Sequence, residues 1–272
     1  MRYESADIDA VARYVADDAW SMEQKADGIR CIVRTDENGA ATFYSHTGEV
    51  LKSGVRHFPA IAAAVSVLKG CTLDGELLDS GRLWLFDVME VLGTDTRLMP
   101  QAARRDLLAT MQPALGGTVV SVLPQAVTAT EKAALWAAVL AEGAEGVVVK
   151  RRSATYAVGS KHTRTSDILK LKVTRTIDVV VTDRNTNGHL NAELGLYDEA
   201  GNLIHVGNCS MIGKTSVAVG DVIEVTFLYV VDPAAPRLYQ ARMMRPRPDR
   251  TADSCMTDQL KGCTVSKAVL AG

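Results

Sequence analysis

The sequence predicts an α+β protein in which antiparallel sheets with flanking helices are followed by a small C-terminal β-barrel. Two observations carry this prediction. Up to Thr174, short runs rich in apolar and β-branched residues alternate with apolar stretches of helical length. After Thr174, short strand-like runs follow one another, separated by Gly, Asn and Asp. With 272 residues, of which 47% are hydrophobic, the chain can fill one large or two moderate cores.

The part of the chain before Thr174 is expected to contain both strands and helices. Asp36–Gly39 supply turn residues for a hairpin, and Gly70 ends an apolar run of helical length. The expected strands are Trp20–Lys25, Gly28–Arg34 and Ala41–Ser45, and the expected helices are residues 7–17, Pro59–Leu68, Gln101–Met111 and Glu131–Ala141.

The part after Thr174 is expected to form a barrel, because five strand-like runs occur within roughly 70 residues. An OB-fold is one solution for such a pattern. The expected strands are Ile177–Thr182, Ala192–Tyr197, Leu203–Val206, Val222–Tyr229 and Arg237–Met243. We therefore expect a first domain over residues 1–174, a barrel domain over 175–250 and a C-terminal tail over 251–272.

Composition excludes several classes of protein. The 32 acidic and 30 basic residues leave a net charge of −2, so any nucleic-acid surface must be local. Five cysteines with no CxxC pair argue against a disulfide framework or a structural zinc cluster, and reduced, buried thiols are expected. No apolar leader and no stretch of bilayer length is present, so we expect a cytoplasmic protein with no membrane partner.

The first motif that carries chemistry is Lys25-Ala26-Asp27-Gly28-Ile29-Arg30, which places an amine and a guanidinium around a tight turn. A lysine attacks phosphorus only as the neutral amine, so it needs nearby cations or a metal that lower its pKa. An exposed turn with no chemical role is the alternative explanation of so short a motif.

A second pair of motifs predicts a hairpin. Leu73–Leu77 and Leu83–Asp87 are strand-like, and the turn-forming stretch between them would place Glu76 opposite Leu85 or Phe86. An acid and an aromatic ring at the same end of two paired strands are suited to hold a ribose hydroxyl and to stack on a base. A core hairpin with a buried Phe is the alternative.

Two later strands carry further polar groups. Glu145–Lys150 is an apolar strand that begins with an acid, and such a carboxylate suits a hard divalent cation. Leu169–Val173 alternates strictly, so Lys170 and Lys172 share one face and together make a phosphate site. A solvated strand end and a lysine-protected edge strand are the respective alternatives.

Taken together and in this order, these elements resemble the covalent nucleotidyltransferase superfamily, and within it the ATP-dependent DNA ligases of minimal type. The superfamily has K-x-D-G-x-R, D-G-E, an aromatic-Asp strand, E-G-[VIL]-[VIL]-x-K and [LI]-K-x-K, then an OB domain that ends in R-x-D-[KR]. Arg247-Pro248-Asp249-Arg250 matches the last motif. The resemblance spans residues 20–250 and implies an adenylyltransferase domain followed by an OB-fold barrel.

The resemblance also implies roles for the matched positions. Glu76 is implied to bind ribose, Phe86 to stack on adenine, and Glu145 and Glu76 to hold the metal. The implied catalytic residues are Lys25 as the nucleophile, Arg30, Lys170 and Lys172. The implied ATP-binding residues are Glu23, Gln24, Lys25, Arg30, Glu76, Phe86, Glu145, Lys170, Lys172, Arg247, Asp249 and Arg250, of which the last three orient the leaving pyrophosphate.

Two positions depart from the family pattern. Family ligases carry Ser-Arg-x-Gly where this chain has Ser45-His46-Thr47-Gly48, and a histidine is only partly charged near neutral pH. The loop after Tyr156 lacks the Gly-Arg that many relatives carry, so the phosphate-sensing arginine of that loop is absent or displaced to Lys161 or Arg164, and a charged loop that faces solvent is the alternative. The implied residues for the 5′-phosphate of the DNA are thus Ser45, His46, Lys161 and Arg164, with weaker or pH-dependent recognition of the nick.

The resemblance implies the sealing of 3′-OH/5′-phosphate nicks through a lysyl-AMP intermediate and a DNA-adenylate. The expected cofactors are ATP and Mg²⁺, for which Mn²⁺ may substitute, and the expected partner is nicked duplex DNA bound by a monomer. Residues 86–108 look more like DNA ligases than capping enzymes, and only 24 residues precede Lys25, which leaves no room for a separate DNA-binding domain. An RNA ligase or a GTP-dependent capping enzyme is the alternative, and a non-catalytic nucleic-acid-binding protein is the alternative of another class.

Overall fold

The computed structural model describes residues 4–6, 11–51, 56–157, 167–185, 191–211, 217–232, 234–261 and 263. Contacts among these residues divide the chain into two units. The first unit holds the described residues of Met1–Ala141 and Gly146–Lys172, and the second holds those of Glu142–Glu145 and Val173–Ser266.

The first unit mixes strands and helices, as the sequence predicts. Its strands are β1 (Glu4–Ala6), β2 (Trp20–Gln24), β3 (Gly28–Thr35), β4 (Ala41–Tyr44), β5 (Thr72–Leu78), β6 (Leu83–Val91), β7 (Thr94–Asp95), β8 (Val120–Val122), β9 (Gln125–Ala126), β10 (Gly146–Arg151) and β11 (Ile168–Lys172). Its helices are α1 (Val11–Ala16), α2 (Phe58–Val65), α3 (Gln101–Met111) and α4 (Ala129–Glu142). Residues 7–10 of the first expected helix lie outside the described residues.

The strands of the first unit form two sheets. One sheet has the order β1-β11-β10-β2-β9, and the other has the order β4-β3-β5-β6-β7, with β8 paired to β6. The pairs within them are antiparallel, as expected, except that β1 lies parallel to β11 and β8 lies parallel to β6. The two chain segments that carry Lys25 and Lys170 thus belong to one sheet.

Side-chain alternation along the second sheet separates a core face from a polar face. On β3, Cys31 and Val33 are fully buried in a core to which α2 and α3 contribute Ile61 and Leu108. Residues of β3 at even positions, such as Arg30, point to the other face, because successive side chains of a strand alternate. The polar face of this sheet is therefore available for a site.

The β5–β6 hairpin forms, but its register differs from the expectation. Glu76 pairs with Trp84, not with Leu85 or Phe86, and Gly75 pairs with Leu85. The register shifts between Asp74 and Gly75, which leaves Phe86 unpaired between two paired residues. A β-bulge of this kind re-aims side chains, and sequence alternation does not reveal it.

The second unit contains a closed barrel, as expected. Its strand order is β12-β13-β14-β16-β15, where the strands are β12 (Arg175–Asn185), β13 (Asn191–Tyr197), β14 (Leu203–Ser210), β15 (Val222–Phe227) and β16 (Arg242–Pro246). The expected last strand, Arg237–Met243, was wrong in its placement. Gln240 has a positive φ of 54°, so the chain turns there and the strand begins at Arg242.

The chain after Arg250 packs on this barrel. Short 3₁₀ turns at Ala252–Ser254 and Thr257–Leu260 bring Cys255 and Leu260 into the barrel core. The side-chain amide of Gln259 bonds to the backbone of Asp178 on β12 in both directions. Residues 252–260 are therefore part of the folded second unit.

The cysteines are free thiols, as the sequence predicts. Four of them are buried, and burial raises the pKa of the Cys31 thiol to about 12. Across the described part of the chain, no helix combines the length and the apolar character that crossing a membrane requires.

Candidate active site

A pocket in the first unit brings together side chains from both sheets. It encloses about 390 Å³, including space open to solvent. Its described lining residues are Glu23, Gln24, Lys25, Ala26, Glu76, Phe86, Leu123, Val148, Lys150 and Lys170. Six residues that the sequence predicts as site residues, namely Glu23, Gln24, Lys25, Glu76, Phe86 and Lys170, therefore line one pocket.

Lys25 is positioned by strand pairing directly after β2. Its backbone N–H donates to the carbonyl oxygen of Gly146 on β10 at 2.9 Å, and its Nζ donates to the carbonyl oxygen of Ala26 at 3.3 Å. Gly146 has a positive φ of 145°, and a Cβ there would lie 2.2 Å from the carbonyl oxygen of Leu171. The glycine that follows Glu145 in the sequence thus permits the close approach of β10 and β11.

Lys170 enters the same pocket from β11. Leu169 and Leu171 are buried on the opposite face of the strand, so the expected separation of lysines and apolar residues is confirmed. Lys170 lines the pocket together with the ammonium groups of Lys25 and Lys150. Such a cluster of cations attracts phosphate.

Glu76 faces these cations from β5. Burial raises the pKa of the Glu76 carboxyl to about 7, although the charges of Lys25 and Lys170 act in the opposite direction. The carboxyl is therefore poised to change its ionisation near neutral pH, which suits a group that binds hydroxyls or a cation.

Lys150 is a pocket residue to which sequence reasoning gave no role. Its Nζ lies 2.6 Å from Oε2 of Glu23, and both side chains are almost fully buried. The side-chain amide of Gln125 donates to the other carboxylate oxygen of Glu23 at 2.8 Å. The Lys150 Nζ also lies 4.7 Å from the centroid of the Phe86 ring. The sequence could have indicated this position, because Lys150 ends the same motif that Glu145 begins.

Arg30 lies one strand away from the pocket, opposite Glu76 in the β3–β5 pairing. Its Nε donates to Oδ1 of Asp74 at 2.9 Å, and its Nη2 donates to the Tyr156 hydroxyl at 2.8 Å. Sequence reasoning assigned no role to Asp74 or Tyr156. Asp74 belongs to the D-G-E motif, and this motif is the sequence feature from which its place near the site could have been predicted.

Two further predicted site residues lie outside the described lining of the pocket. Lys172 shares the β11 face with Lys170, and Glu145 directly precedes β10. Glu145 is buried, with 4% of its surface exposed, and its carbonyl oxygen accepts the N–H of Val173 at 2.9 Å. A buried carboxylate of this kind requires a cationic or hydrogen-bonding partner.

The predicted triad of the second unit forms a cluster around Asp178. Arg247 donates to both oxygens of Asp178 at 2.8 and 3.0 Å and to both oxygens of Asp249 at 2.9 and 2.8 Å. These hydrogen bonds hold the pKa of Asp249 down, to about 2. Arg250 joins the cluster, with its Nε 3.5 Å from Asp178. The charges of this motif are thus paired within the second unit.

The residues predicted for the 5′-phosphate lie partly in the turn that follows β4. The Ser45 hydroxyl lies 2.7 Å from that of Thr47, and His46 is exposed. Lys161 and Arg164 lie outside the described residues.

The described residues contain no group of three His, Cys, Asp or Glu side chains arranged around a common metal position. Mg²⁺ is commonly held by one or two carboxylates and by substrate phosphates. Glu76 supplies such a carboxylate in the pocket.

Comparison with known proteins finds a family model that matches part of the chain. Residues 79–172 match the family described as "ATP dependent DNA ligase domain". A "Probable DNA ligase" of Pseudarthrobacter chlorophenolicus is 32% identical over 148 residues, which cover 52% of this chain and 27% of that protein. A "Probable DNA ligase" of Streptomyces coelicolor is 29% identical over 248 residues, which cover 75% of this chain and 45% of that protein. The chain thus spans less than half the length of either relative.

One solved structure resembles the fold over nearly its whole length. It is titled "DNA binding with a minimal scaffold: Structure-function analysis of Lig E DNA ligases", with a TM-score of 0.61 and 15% sequence identity. The match covers 91% of this chain and 98% of that one. At this identity the similarity establishes the mixed α+β fold.

Proposed function

We propose, starting from the membership of this chain in the ATP-dependent DNA ligase family, that it seals 3′-OH/5′-phosphate nicks in duplex DNA. The observation that carries the proposal is the pocket in which Lys25, Lys170, Glu76 and Phe86 converge from separate strands. These side chains are far apart in the sequence, and they supply an amine, a second cation, a carboxylate and an aromatic ring to one place.

In the first step, the neutral Lys25 amine attacks the α-phosphorus of ATP. A P–N bond forms, the bond to the bridging oxygen breaks, pyrophosphate leaves, and the amine gives up its proton. Lys170 stabilises the negative charge on the α-phosphate, and Lys172 on the same strand face adds a second positive charge. Positioning and electrostatic stabilisation account for most of such a transfer.

The pocket also explains a preference for adenine. Phe86 provides the ring on which the base stacks, and Glu76 accepts the ribose hydroxyls. Glu23, fixed by Lys150 and Gln125, presents a carboxylate that accepts hydrogen bonds only. The exocyclic amine of adenine matches such an acceptor, whereas the exocyclic oxygen of guanine does not.

A divalent cation, Mg²⁺ or Mn²⁺, would be held by the carboxylates of Glu76 and Glu145. When bound, it would neutralise phosphate charge during the transfer. Glu145 is suited to this by its burial, because a buried carboxylate is stabilised by a cation.

For the later steps, we assign the barrel to the OB-fold class and assign Arg247, Asp249 and Arg250 to orientation of the leaving pyrophosphate. The closed order of five short strands supports the first assignment. Phosphate recognition at the nick is assigned to Ser45, His46, Lys161 and Arg164. The monomer then carries AMP from Lys25 to the 5′-phosphate, and the 3′-hydroxyl displaces AMP.

The first step is tested by incubating the chain with α-labelled ATP or GTP and Mg²⁺, followed by denaturing electrophoresis. We expect acid-labile label from ATP that stays on the native protein and is lost in Lys25→Ala. Lys69→Ala, at an exposed lysine away from the pocket, is the matched control and retains the label. Absence of label from both nucleotides would overturn the proposal.

A further inference from the structure

Tyr156 is a buried residue with a hydroxyl in an unusual position for a core tyrosine. The ring is 8% exposed, and its hydroxyl lies between the side chains of Arg30 and Asp74. It accepts a hydrogen bond from Nη2 of Arg30 at 2.8 Å and donates one to Oδ2 of Asp74 at 2.7 Å. Because Arg30 also donates to Asp74 directly, the three side chains close a ring of hydrogen bonds.

The donors and acceptors in this ring of hydrogen bonds are fixed. Asp74 is fully buried, and its negative charge together with burial raises the pKa of Tyr156 above the usual range. The phenol therefore stays protonated and remains a donor to Asp74. The Tyr156 oxygen in turn gives the Arg30 guanidinium a second acceptor, so the guanidinium is fixed along two edges.

Further contacts hold the backbone and the ring of Tyr156. The Tyr156 N–H donates to the carbonyl oxygen of Arg97 at 2.8 Å. Below the ring, the guanidinium of Arg104 lies 5.6 Å from the centroid, and the same group is paired to Asp87 at 2.7 Å and bonded to the carbonyl oxygen of Ala154 at 3.2 Å. These contacts restrain the position of the phenol hydroxyl next to Arg30.

We propose that Tyr156 is a positioning residue that fixes the guanidinium of Arg30 for binding the polynucleotide phosphate. The proposal rests on the proposed function, because it needs AMP to be carried on Lys25 in the pocket that lies one strand away from Arg30. Arg30 pairs across the sheet with Glu76, so its direction decides whether a donor points to the pocket edge where the two substrates meet. Loss of the phenol oxygen removes one of the acceptors that hold the Arg30 guanidinium.

The test uses native protein, Tyr156→Phe, Arg30→Ala and the double variant. Protein loaded with labelled AMP is mixed with nicked duplex DNA, and transfer of the label to DNA is timed. We expect Tyr156→Phe to slow this transfer about tenfold, the size expected for one buried hydrogen bond to a charged group. The KM for ATP in lysyl-AMP formation should stay within about twofold of native, because Tyr156 does not line the pocket.

In the Arg30→Ala background, Tyr156→Phe should cause no further slowing, which a merely structural role would not produce. Tyr14→Phe removes the hydroxyl of another buried tyrosine, whose ring packs on Trp20 at 5.0 Å, and serves as the control. Equal slowing in both backgrounds, no slowing at all, or slowing that only follows a lower melting temperature would overturn the proposal. Failure of the native protein to form lysyl-AMP would instead overturn the proposed function, and this proposal with it.

Discussion

The ionisation of the Glu76 carboxyl depends on opposing effects of its surroundings. Glu76 lies on a strand whose other face is core, so burial disfavours its charge, while Lys25 and Lys170 favour it. Burial prevails, and the pKa of the carboxyl rises to about 7. The same charge is needed to bind hydroxyls or a cation, so the site is maintained at some cost in stability.

The raised pKa of Glu76 predicts a pH-dependent stability. In the folded chain Glu76 keeps its proton up to about pH 7, whereas in the unfolded chain it loses it near 4.5. The contribution of Glu76 to the free energy of unfolding is therefore greatest below pH 4.5. It falls by at most about 3 kcal/mol as the pH rises to 7. Glu76→Gln removes this loss.

We expect the melting temperature of Glu76→Gln to exceed that of the native chain by several degrees at pH 8 and by much less at pH 5. Glu37→Gln, at an exposed turn, should match the native chain at both pH values. An advantage of Glu76→Gln that is the same at pH 5 and pH 8 would contradict the assigned burial cost.

Strand pairing positions the site, and here the sequence was informative to differing degrees. Alternation on β11 correctly separated Lys170 from the buried leucines, because that strand is regular. The β5–β6 register was wrong because a bulge at Asp74/Gly75 leaves no mark on the hydrophobic pattern. The role of Lys150 was missed because its partners, Glu23 and Gln125, are distant in sequence and meet only through the β10–β2–β9 pairings.

The element that leads into Lys25 is anchored by α4. Lys132 is fully buried, and its Nζ donates to the carbonyl oxygens of Tyr14 at 3.0 Å, Asp17 at 2.7 Å and Trp20 at 3.1 Å. These carbonyls lie around the end of α1 and the start of β2, so one ammonium satisfies acceptors that strand pairing does not reach. The path of the chain into β2 depends on it.

Replacing Lys132 by Met should remove the donor that these three carbonyl oxygens share and destabilise the first unit by about 3 kcal/mol. The measurement is urea unfolding followed by tryptophan fluorescence, since Trp20 is buried next to the anchored segment. Lys69→Met at an exposed position should change stability by less than about 0.5 kcal/mol. Equal effects of the two substitutions would show that the ammonium does not support this segment.

The whole chain divides into a mixed unit and a barrel unit, and the motifs that resemble those of DNA ligases are spread over residues 20–250. The sequence predicted the mixed unit and the barrel, because periodicity and turn residues report local structure well. It predicted the path after Arg250 poorly, since residues 252–260 pack through a few contacts, such as those of Cys255 and Leu260, that carry no regular period. With a net charge of −2, the proposed binding of DNA would rely on local cationic groups, not on overall attraction.

Transfer of AMP from Lys25 to DNA is tested most directly by mixing the lysyl-AMP form of the protein with nicked duplex DNA in the absence of free ATP. We expect labelled AMP to leave Lys25, to appear transiently on the 5′-phosphate of the nick and to be released as the strands are joined, at one joined nick per labelled protein. Label that remains on the protein, or that is released as AMP while the nick stays open, would contradict it.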